Sequence, residues 1–204
     1  GNRFAIETSG PEAGNVWLDP KRTSPYKFYQ FWLNVSDDDA KSYIRIFTLL
    51  DKETIESLEK EHNEAPNLRI LQKELAKDIT IRVHSEEDYE TAVNASEILF
   101  QKGQEAVDGL KSMNESIFND VFEGVPQAEI SKSELNGMGI IDLLGNKSGF
   151  LGSNGEARRA LKENSISINK EKVSEEKEMT DSDLIDGKYI LLQRGKKNLF
   201  IVKA

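Results

Sequence analysis

The sequence predicts an α-helical domain followed by a small α+β domain. Through the first part of the chain, apolar side chains recur at helical spacing and no stretch alternates with the two-residue period of a strand. After Gly124-Val125-Pro126, glycine and serine become frequent and the elements become short. Alternating segments near the C-terminus flank a basic turn, as in a β-hairpin. We therefore divide the chain into a segment 1–15, a helical domain 16–123, and a second domain 124–204 that includes a linker.

Three helix starts are visible in the first half of the helical domain. Ser24 is a candidate N-cap with proline at the first helical position, and it opens the aromatic-rich run YKFYQFWLN. Ser36 precedes three aspartates, whose charges suit the positive end of a helix dipole. Asp51 is the candidate cap of a third helix, which ends before the turn marked by Pro66.

Four further helices complete this domain. The apolar stripe of the fourth is formed by Leu68, Leu71, Leu75 and Ile79. Ser85 begins a fifth helix that extends toward Gly103, and short helices are predicted at 104–111 and 115–122. The run of amphipathic segments indicates an all-helical domain.

The second domain combines small helices with a short sheet. A short apolar helix is predicted at 139–144. Ser153 and Glu156 match a capping box, in which each side chain accepts from the other residue's backbone amide, at the start of a helix from about 155 to 163. SISIN alternates like a strand, and KYILLQ and NLFIVK have the pattern of two hairpin arms.

Charge is distributed unevenly along the chain. The formal net charge is -9, but Phe150 to the C-terminus carries a net +2 whereas residues 1–149 carry a net -11. Nucleic-acid binding depends on clustered cations rather than on the overall sum. The C-terminal part therefore remains a candidate for contact with phosphate groups.

Metal and disulfide chemistry is not expected. The chain has no cysteine, and His62 and His84 are too few for a histidine-based metal site. Both histidines lie near predicted helix ends in charged surroundings, so we expect solvated or capping imidazoles. The acidic run SDDDA is compatible with a cation, but a favourable interaction with the helix dipole is the better explanation.

Several classes of protein are disfavoured by missing patterns. No apolar run approaches the roughly 18 residues that a membrane span needs, and the N-terminus lacks the features of a secretory signal, so a cytoplasmic protein is expected. The phosphate-binding and hydrolase motifs GxxxxGK[ST], GxGxxG, HExxH and GxSxG are also missing.

Cations from three separate segments make the second domain a candidate RNA-binding module. In the capped helix, two of them are four residues apart on one face, opposite Ala157, Ala160 and Leu161. The candidate RNA-binding residues are Arg158, Arg159, Lys162, Lys170, Lys172, Arg194, Lys196 and Lys197. Such cations suit a folded RNA backbone, which is held by charge without base reading. Because acidic residues are interspersed with them, ordinary solubilising charges are the alternative.

A family resemblance covers nearly the whole chain from Gly14 onward. The run GNVWLDPKRTSPYKFYQFWLN resembles the segment that follows the catalytic signature loop in bacterial tyrosyl-tRNA synthetases, and IRIFTLL, ITIRVHSEEDYETA and GVPQAEIS continue the resemblance. NGEARRALKENSISINKEKV and YILLQRGKKNLFIVKA are similar to the helix-turn-strand unit and closing hairpin of the S-four type RNA-binding domain of these enzymes.

The resemblance implies two contacts with tyrosine tRNA. The helical domain would contact the anticodon stem-loop, and the terminal domain would hold the long variable arm. In that family an aspartate at the start of the second helix of the anticodon domain helps to recognise the anticodon, and Asp37 matches it, with Asp38 as the alternative register. A carboxylate can accept hydrogen bonds from the N1–H and amino group of guanine, and helix capping remains an alternative role.

The chain also departs from the family pattern. The nucleotide-binding catalytic domain is missing, and RFAIETSG resembles the lysine-containing loop KFGKTESG but has Ile6 at the position of the loop lysine. The segment 1–15 is therefore expected to be a remnant of the catalytic-loop region or an added sequence. Lys170 stands where a turn glycine is expected.

We expect a non-catalytic chain that binds tyrosine tRNA. The parent enzyme would join tyrosine to its tRNA with ATP, but ATP would bind in the missing domain, so no cofactor is expected in this chain. The parent is expected to be a homodimer through that same domain, which makes this chain a monomer. The alternatives are a stand-alone RNA-binding or splicing-assistance module and a protein-interaction scaffold.

Overall fold

A computed structural model describes residues 3–4, 16–98, 103–174, 176–195 and 198–204. It divides into two compact units, Gly1–Ser96 and Glu97–Ala204. Within the described residues, no helix is long and apolar enough to cross a membrane.

The first unit is helical. Its helices are α1 (Pro25–Leu33), α2 (Asp37–Phe47), α3 (Lys52–Glu64), α4 (Ile70–Val83) and α5 (Glu86–Glu97). They follow an antiparallel ribbon of β1 (Arg3–Phe4) and β2 (Val16–Trp17), whose strands are too short to produce a recognisable alternation. Helix α4 contacts α1, α2 and α3, and thus lies at the centre of this bundle. The helical character predicted for this part of the chain is confirmed.

The predicted helix starts of the first unit are confirmed by their hydrogen bonds. The side chains of Ser24, Ser36 and Asp51 each accept from the backbone N–H three residues further on. Each cap satisfies one of the amides that lack a partner in the first turn of a helix. These starts fix where the apolar stripes face the core.

An aromatic cluster fills the core of the first unit. Trp32 is 2% exposed and meets Phe31 and Tyr43 edge-on, with ring centroids 5.1 and 6.0 Å apart. Leu71 and Leu75 of α4 are fully buried, as their stripe predicted. Leu68 is an exception, since it is 50% exposed in a 3-10 turn before α4. Arg69, with a left-handed backbone (φ 55°), separates that turn from the helix.

The second unit joins small helices to a five-stranded sheet. Its α-helices are α6 (Gln104–Lys111), α7 (Glu115–Val121), α8 (Lys132–Leu135), α9 (Ile140–Asp142) and α10 (Asn154–Lys162). Its strands are β3 (Gln127–Glu129), β4 (Ile166–Ile168), β5 (Glu171–Val173), β6 (Tyr189–Arg194) and β7 (Asn198–Lys203). Helix α9 continues into a π-helical turn, Leu143–Lys147.

The sheet has the order β3-β7-β6-β4-β5. Its β3–β7 pair is parallel and the other pairs are antiparallel. The predicted hairpin is confirmed as β6 and β7, and the predicted strand in SISIN is β4. Strands β3 and β5 were not predicted, because three-residue edge strands are too short to show an alternating pattern.

Helices α6 and α7 belong to the same compact unit as the sheet, whereas the sequence interpretation assigned them to the helical domain 16–123. The ring of Phe118 in α7 stacks on Tyr189 of β6 at a centroid distance of 4.5 Å. Glu115 accepts a hydrogen bond from the Tyr189 hydroxyl (2.9 Å) and pairs with Lys188. These contacts attach α7 to the sheet, and periodicity alone gives no sign of them.

Candidate nucleic-acid interface

Asp37 begins α2, but its side chain does not cap that helix. Ser36 caps it by accepting from the backbone N–H of Asp39 (3.1 Å), and its hydroxyl donates to the Asp39 carboxylate (2.8 Å). The side chain of Asp38 makes no hydrogen bond among the described residues. Of the two aspartates considered for anticodon recognition, Asp37 is therefore the one that the tertiary structure engages.

Two other helices hold the Asp37 carboxylate. Gln72 of α4 donates through Nε2 to Oδ1 at 2.6 Å, and His62 Nε2 of α3 lies 3.2 Å from the same oxygen. The Asp37 side chain is 51% exposed, and Oδ2 has no hydrogen-bond partner within the described ranges. The carboxylate is thus fixed at one oxygen and accessible to solvent.

Electrostatics keep this carboxylate ionised. The hydrogen bond from Gln72 is the largest cause that lowers the pKa of Asp37 below its ordinary value, and the fields of His62 and Arg69 act in the same direction. An ionised carboxylate only accepts hydrogen bonds. At neutral pH Oδ2 can therefore accept from N–H donors, such as those on the Watson–Crick edge of guanine.

Arg69 holds the turn that leads into Asp37. Its guanidinium donates to the carbonyl oxygens of Leu33 (2.9 Å) and Val35 (3.0 Å), at the end of α1 and in the following turn. Hydrogen bonds from a charged donor are stronger than neutral ones. We call Asp37, His62, Arg69 and Gln72 the Asp37 site.

Sequence reasoning found only one residue of the Asp37 site. The prediction of a solvated or capping imidazole is wrong for His62, which is 1% exposed inside α3. The burial of His62 could nevertheless have been predicted, since Ile55, Leu58 and His62 have the i, i+3, i+7 spacing of one helix face. Nothing in the sequence around Gln72 indicated that its polar side chain faces α2.

The second candidate surface begins at the start of α10. Ser153 caps the helix by accepting from the Glu156 backbone N–H (3.2 Å), as predicted. The Glu156 carboxylate, however, accepts from the N–H of Gly152 (3.0 Å) rather than from that of Ser153, so the predicted capping box is only half formed. The start of α10 is also held by Asn154, which donates to Asp142 at 2.6 Å.

Gly145 makes this arrangement possible by its small size. A Cβ atom at Gly145 would lie 2.4 Å from Asn154 Oδ1 and 2.8 Å from the Asn154 backbone nitrogen. The π-helical turn can therefore approach the start of α10 only with glycine at this position. This packing fixes the direction in which α10 leaves the turn.

Helix α10 has one buried face and one cationic face. Ala157, Ala160 and Leu161 are buried, at 0%, 0% and 3% exposure, as predicted. The opposite side chains, Arg158, Arg159 and Lys162, are exposed, and we call them the α10 face. In the described part of the chain, no ion pair or hydrogen bond engages Arg158 or Lys162, while the charge of Arg159 acts on Glu156.

Arg194 is brought to α10 but is neutralised there. Its guanidinium lies 2.5 Å from Glu156 and 3.9 Å from Glu163. The Gly152 N–H and then Arg194 lower the pKa of the Glu156 carboxyl below its ordinary value of 4.5. Arg194 thus joins the end of β6 to both ends of α10, and its charge is less available to RNA than those of the α10 face.

The β4–β5 turn forms without the expected glycine. Asn169 and Lys170 both have left-handed backbones (φ 48° and 71°), as in a two-residue type I′ hairpin turn. The Asn169 side chain supports the turn by donating to the Asp183 carbonyl at 2.5 Å and accepting from the Leu191 N–H at 2.8 Å. Asparagine tolerates this conformation better than most residues, whereas Lys170 adopts it without the conformational freedom that glycine would have.

The remaining predicted cations have different environments. Lys170 is half-buried, and this burial lowers the pKa of its ammonium group. Lys172 donates to the carbonyl oxygen of Asn164 at 2.9 Å, just beyond the end of α10. Lys196 and Lys197 lie outside the described residues. The structure therefore groups Arg158, Arg159 and Lys162, with Arg194 and Lys172 at the margins of the same helix.

Metal binding finds no support in the described residues. No group of three or more histidine, cysteine, aspartate or glutamate side chains among them is arranged to hold a metal ion.

Comparisons with known proteins identify relatives for both units. Residues 8–101 match the family profile "tRNA synthetases class I (W and Y)", and residues 118–202 match "Tyrosine--tRNA ligase SYY-like C-terminal domain". The tyrosine--tRNA ligase of Flavobacterium johnsoniae is 58% identical over 95% of this chain, and that of Bacteroides fragilis is 54% identical over 95%. The chain spans only 44% and 45% of the lengths of these two relatives.

Similarity to a solved structure is more limited. A C-terminally truncated mitochondrial tyrosyl-tRNA synthetase from Coccidioides posadasii is 34% identical and has a TM-score of 0.39. The match covers 43% of this chain and 24% of that chain.

Proposed function

Because the chain belongs to the tyrosyl-tRNA synthetase family, as the C-terminal part of such an enzyme, we propose that it binds tyrosine tRNA through two surfaces. The Asp37 site accepts hydrogen bonds from a guanine of the anticodon. The α10 face holds phosphates of the long variable arm. The chain performs no chemistry alone, and ATP and tyrosine are used by the catalytic part of the parent enzyme.

The α10 face is the observation that carries this proposal. Three exposed cations lie on one side of a helix whose other side is buried in the core of the second unit. Phosphate contacts from arginine and lysine position RNA without reading its sequence. A rigid helix held at its start by Ser153 and Asn154 presents these charges in a fixed geometry.

The Asp37 site supplies what the α10 face lacks, which is base recognition. A carboxylate that accepts from both N1–H and the 2-amino group of guanine rejects bases without that pair of donors. A half-exposed carboxylate that is held at Oδ1 and leaves both lone pairs of Oδ2 available fits this use. We further propose that the isolated chain is a monomer, that the parent is a homodimer, and that both act in the cytoplasm.

A charge reversal on the α10 face tests the proposal. Arg159→Glu should weaken binding of tyrosine tRNA, because it removes attraction to phosphate and adds repulsion. Each lost phosphate contact should reduce the slope of log Kd against log salt by roughly 0.7–0.9. The stability of the variant should change by less than about 0.5 kcal/mol, as for other exposed substitutions.

The control is Lys132→Glu, which makes the same change in net charge. Lys132 is exposed at the start of α8, which follows β3, and β3 lies at the edge of the sheet opposite to β5. Binding would be measured between low and moderate salt, with circular dichroism to verify folding. If Arg159→Glu and wild type have equal affinities and equal slopes, the α10 face is not the RNA-binding surface.

A further inference from the structure

We propose that His62 and Gln72 are positioning residues for base recognition by Asp37. They hold one carboxylate oxygen so that the carboxylate has a defined orientation toward guanine. This inference rests on the proposed anticodon function of Asp37. It adds that the discrimination of guanine depends on two buried side chains that do not themselves touch RNA.

The geometry joins three helices at a single atom. Oδ1 of Asp37 receives the hydrogen bond from Gln72 Nε2 at 2.6 Å and lies 3.2 Å from His62 Nε2. Both partners are buried, with exposures of 0% for Gln72 and 1% for His62. A carboxylate on the first residue of a helix would otherwise be free to rotate in solvent. Donors from two rigid helices remove that freedom before RNA arrives, which lowers the entropy lost on binding.

Holding the preceding turn does not require Gln72. Arg69 already donates to the Val35 carbonyl at 3.0 Å, and Gln72 Nε2 donates to the same oxygen at 3.4 Å. The shorter contact of Gln72 is with Asp37. The hydrogen bond of Gln72 that Arg69 does not duplicate is therefore the one to the carboxylate.

The positioning residues also carry unpaired polar atoms. Gln72 Oε1 and His62 Nδ1 are buried and have no hydrogen-bond partner among the described residues. A buried polar atom without a partner destabilises a fold, so packing alone would favour apolar side chains at both positions. Polar side chains that are unfavourable for stability commonly serve function. Here the function is the orientation of Asp37.

The test compares two anticodon stem-loop RNAs of tyrosine tRNA, one carrying guanine and the other inosine, which lacks the 2-amino group. For the wild-type chain we expect guanine to bind roughly ten-fold more tightly, as for a paired hydrogen-bond contact to a base. Gln72→Leu should move this ratio toward one, whatever the change in its thermal midpoint. A purely structural role would instead lower the midpoint and leave the ratio unchanged.

The matched control is Thr80→Val on the same helix. Thr80 is fully buried and its Oγ1 also lacks a hydrogen-bond partner within the described residues. Unlike Gln72, Thr80 therefore makes no hydrogen bond to Asp37. This variant should keep the wild-type ratio of guanine to inosine binding. It separates the loss of a buried polar group from the loss of Asp37 positioning.

His62 provides an independent pair of variants. His62→Leu removes the donor and should lower the ratio, whereas His62→Gln restores an N–H near the position of imidazole Nε2 and should recover part of it. If Asp37→Asn lowers the ratio but Gln72→Leu and His62→Leu both keep it, the positioning role is overturned and the anticodon function stands. If Asp37→Asn keeps the ratio, the anticodon function fails and the positioning role fails with it.

Discussion

At the scale of single residues, carboxylate groups have two different uses in this chain. The half-exposed Asp37 side chain is held at one carboxylate oxygen only, whereas Glu156 uses one oxygen on the Gly152 N–H and the other on Arg194. The sequence indicated a role for Asp37 through the family resemblance and a role for Glu156 through its three-residue spacing from Ser153. It did not reveal the partners His62, Gln72 and Arg194, because these contacts join residues that are far apart along the chain.

The role of Glu156 predicts a dependence of stability on pH. Its pKa is lower in the folded state than its ordinary value of 4.5, so its contacts stabilise the fold above about pH 4.5 and this stabilisation is lost as the pH falls through the folded pKa. Glu156→Gln should therefore be less stable than wild type at pH 7, and the difference should shrink in acid. Thermal midpoints measured from pH 7 to pH 2 would test this.

The control for the pH series is Glu171→Gln, at an exposed position on the edge strand β5. Its midpoint should follow that of wild type across the same range. A stability difference between wild type and Glu156→Gln that stays constant from neutral to acid pH would contradict the proposed charge contacts of Glu156.

At the scale of elements, most helices and the closing hairpin were predictable. Helix starts were readable because a capping side chain and an apolar stripe give a local signal, as at Ser24 and Asp51. The predicted apolar stripe of α4 began too early, since Leu68 follows Pro66 in a turn rather than in α4. Strand β3 pairs with the distant β7, whereas β5 pairs with the adjacent β4, and in both cases three residues are too few to show an alternating pattern.

The two faces of α10 predict opposite effects for the same introduced residue. Ala160→Asp places a carboxylate in the core of the second unit and should unfold that unit, since a buried unpaired charge is strongly unfavourable. Arg158→Asp places it on the exposed face and should change stability by less than about 0.5 kcal/mol. Chemical denaturation followed by circular dichroism would compare them. Equal losses of stability would show that the assignment of the two faces is incorrect.

At the scale of the whole molecule, the sequence established two parts of different character, one acidic and helical and the other mixed and more basic. It predicted the change in pattern after Gly124-Val125-Pro126 but not that α6 and α7 join the sheet in one compact unit. Helical periodicity indicates that a segment has a buried face, without indicating which core buries it. The stacking of Phe118 on Tyr189 resolves this point for α7.

The most direct test of tRNA recognition is equilibrium competition at fixed salt. Labelled tyrosine tRNA bound to the 204-residue chain would be displaced by unlabelled tyrosine tRNA or by a tRNA with a short variable arm and a different anticodon. If the Asp37 site and the α10 face both contact RNA, the second competitor should be at least roughly ten-fold weaker, the loss expected when a specific base contact is missing. Equal competition by the two RNAs would contradict recognition of tyrosine tRNA by this chain.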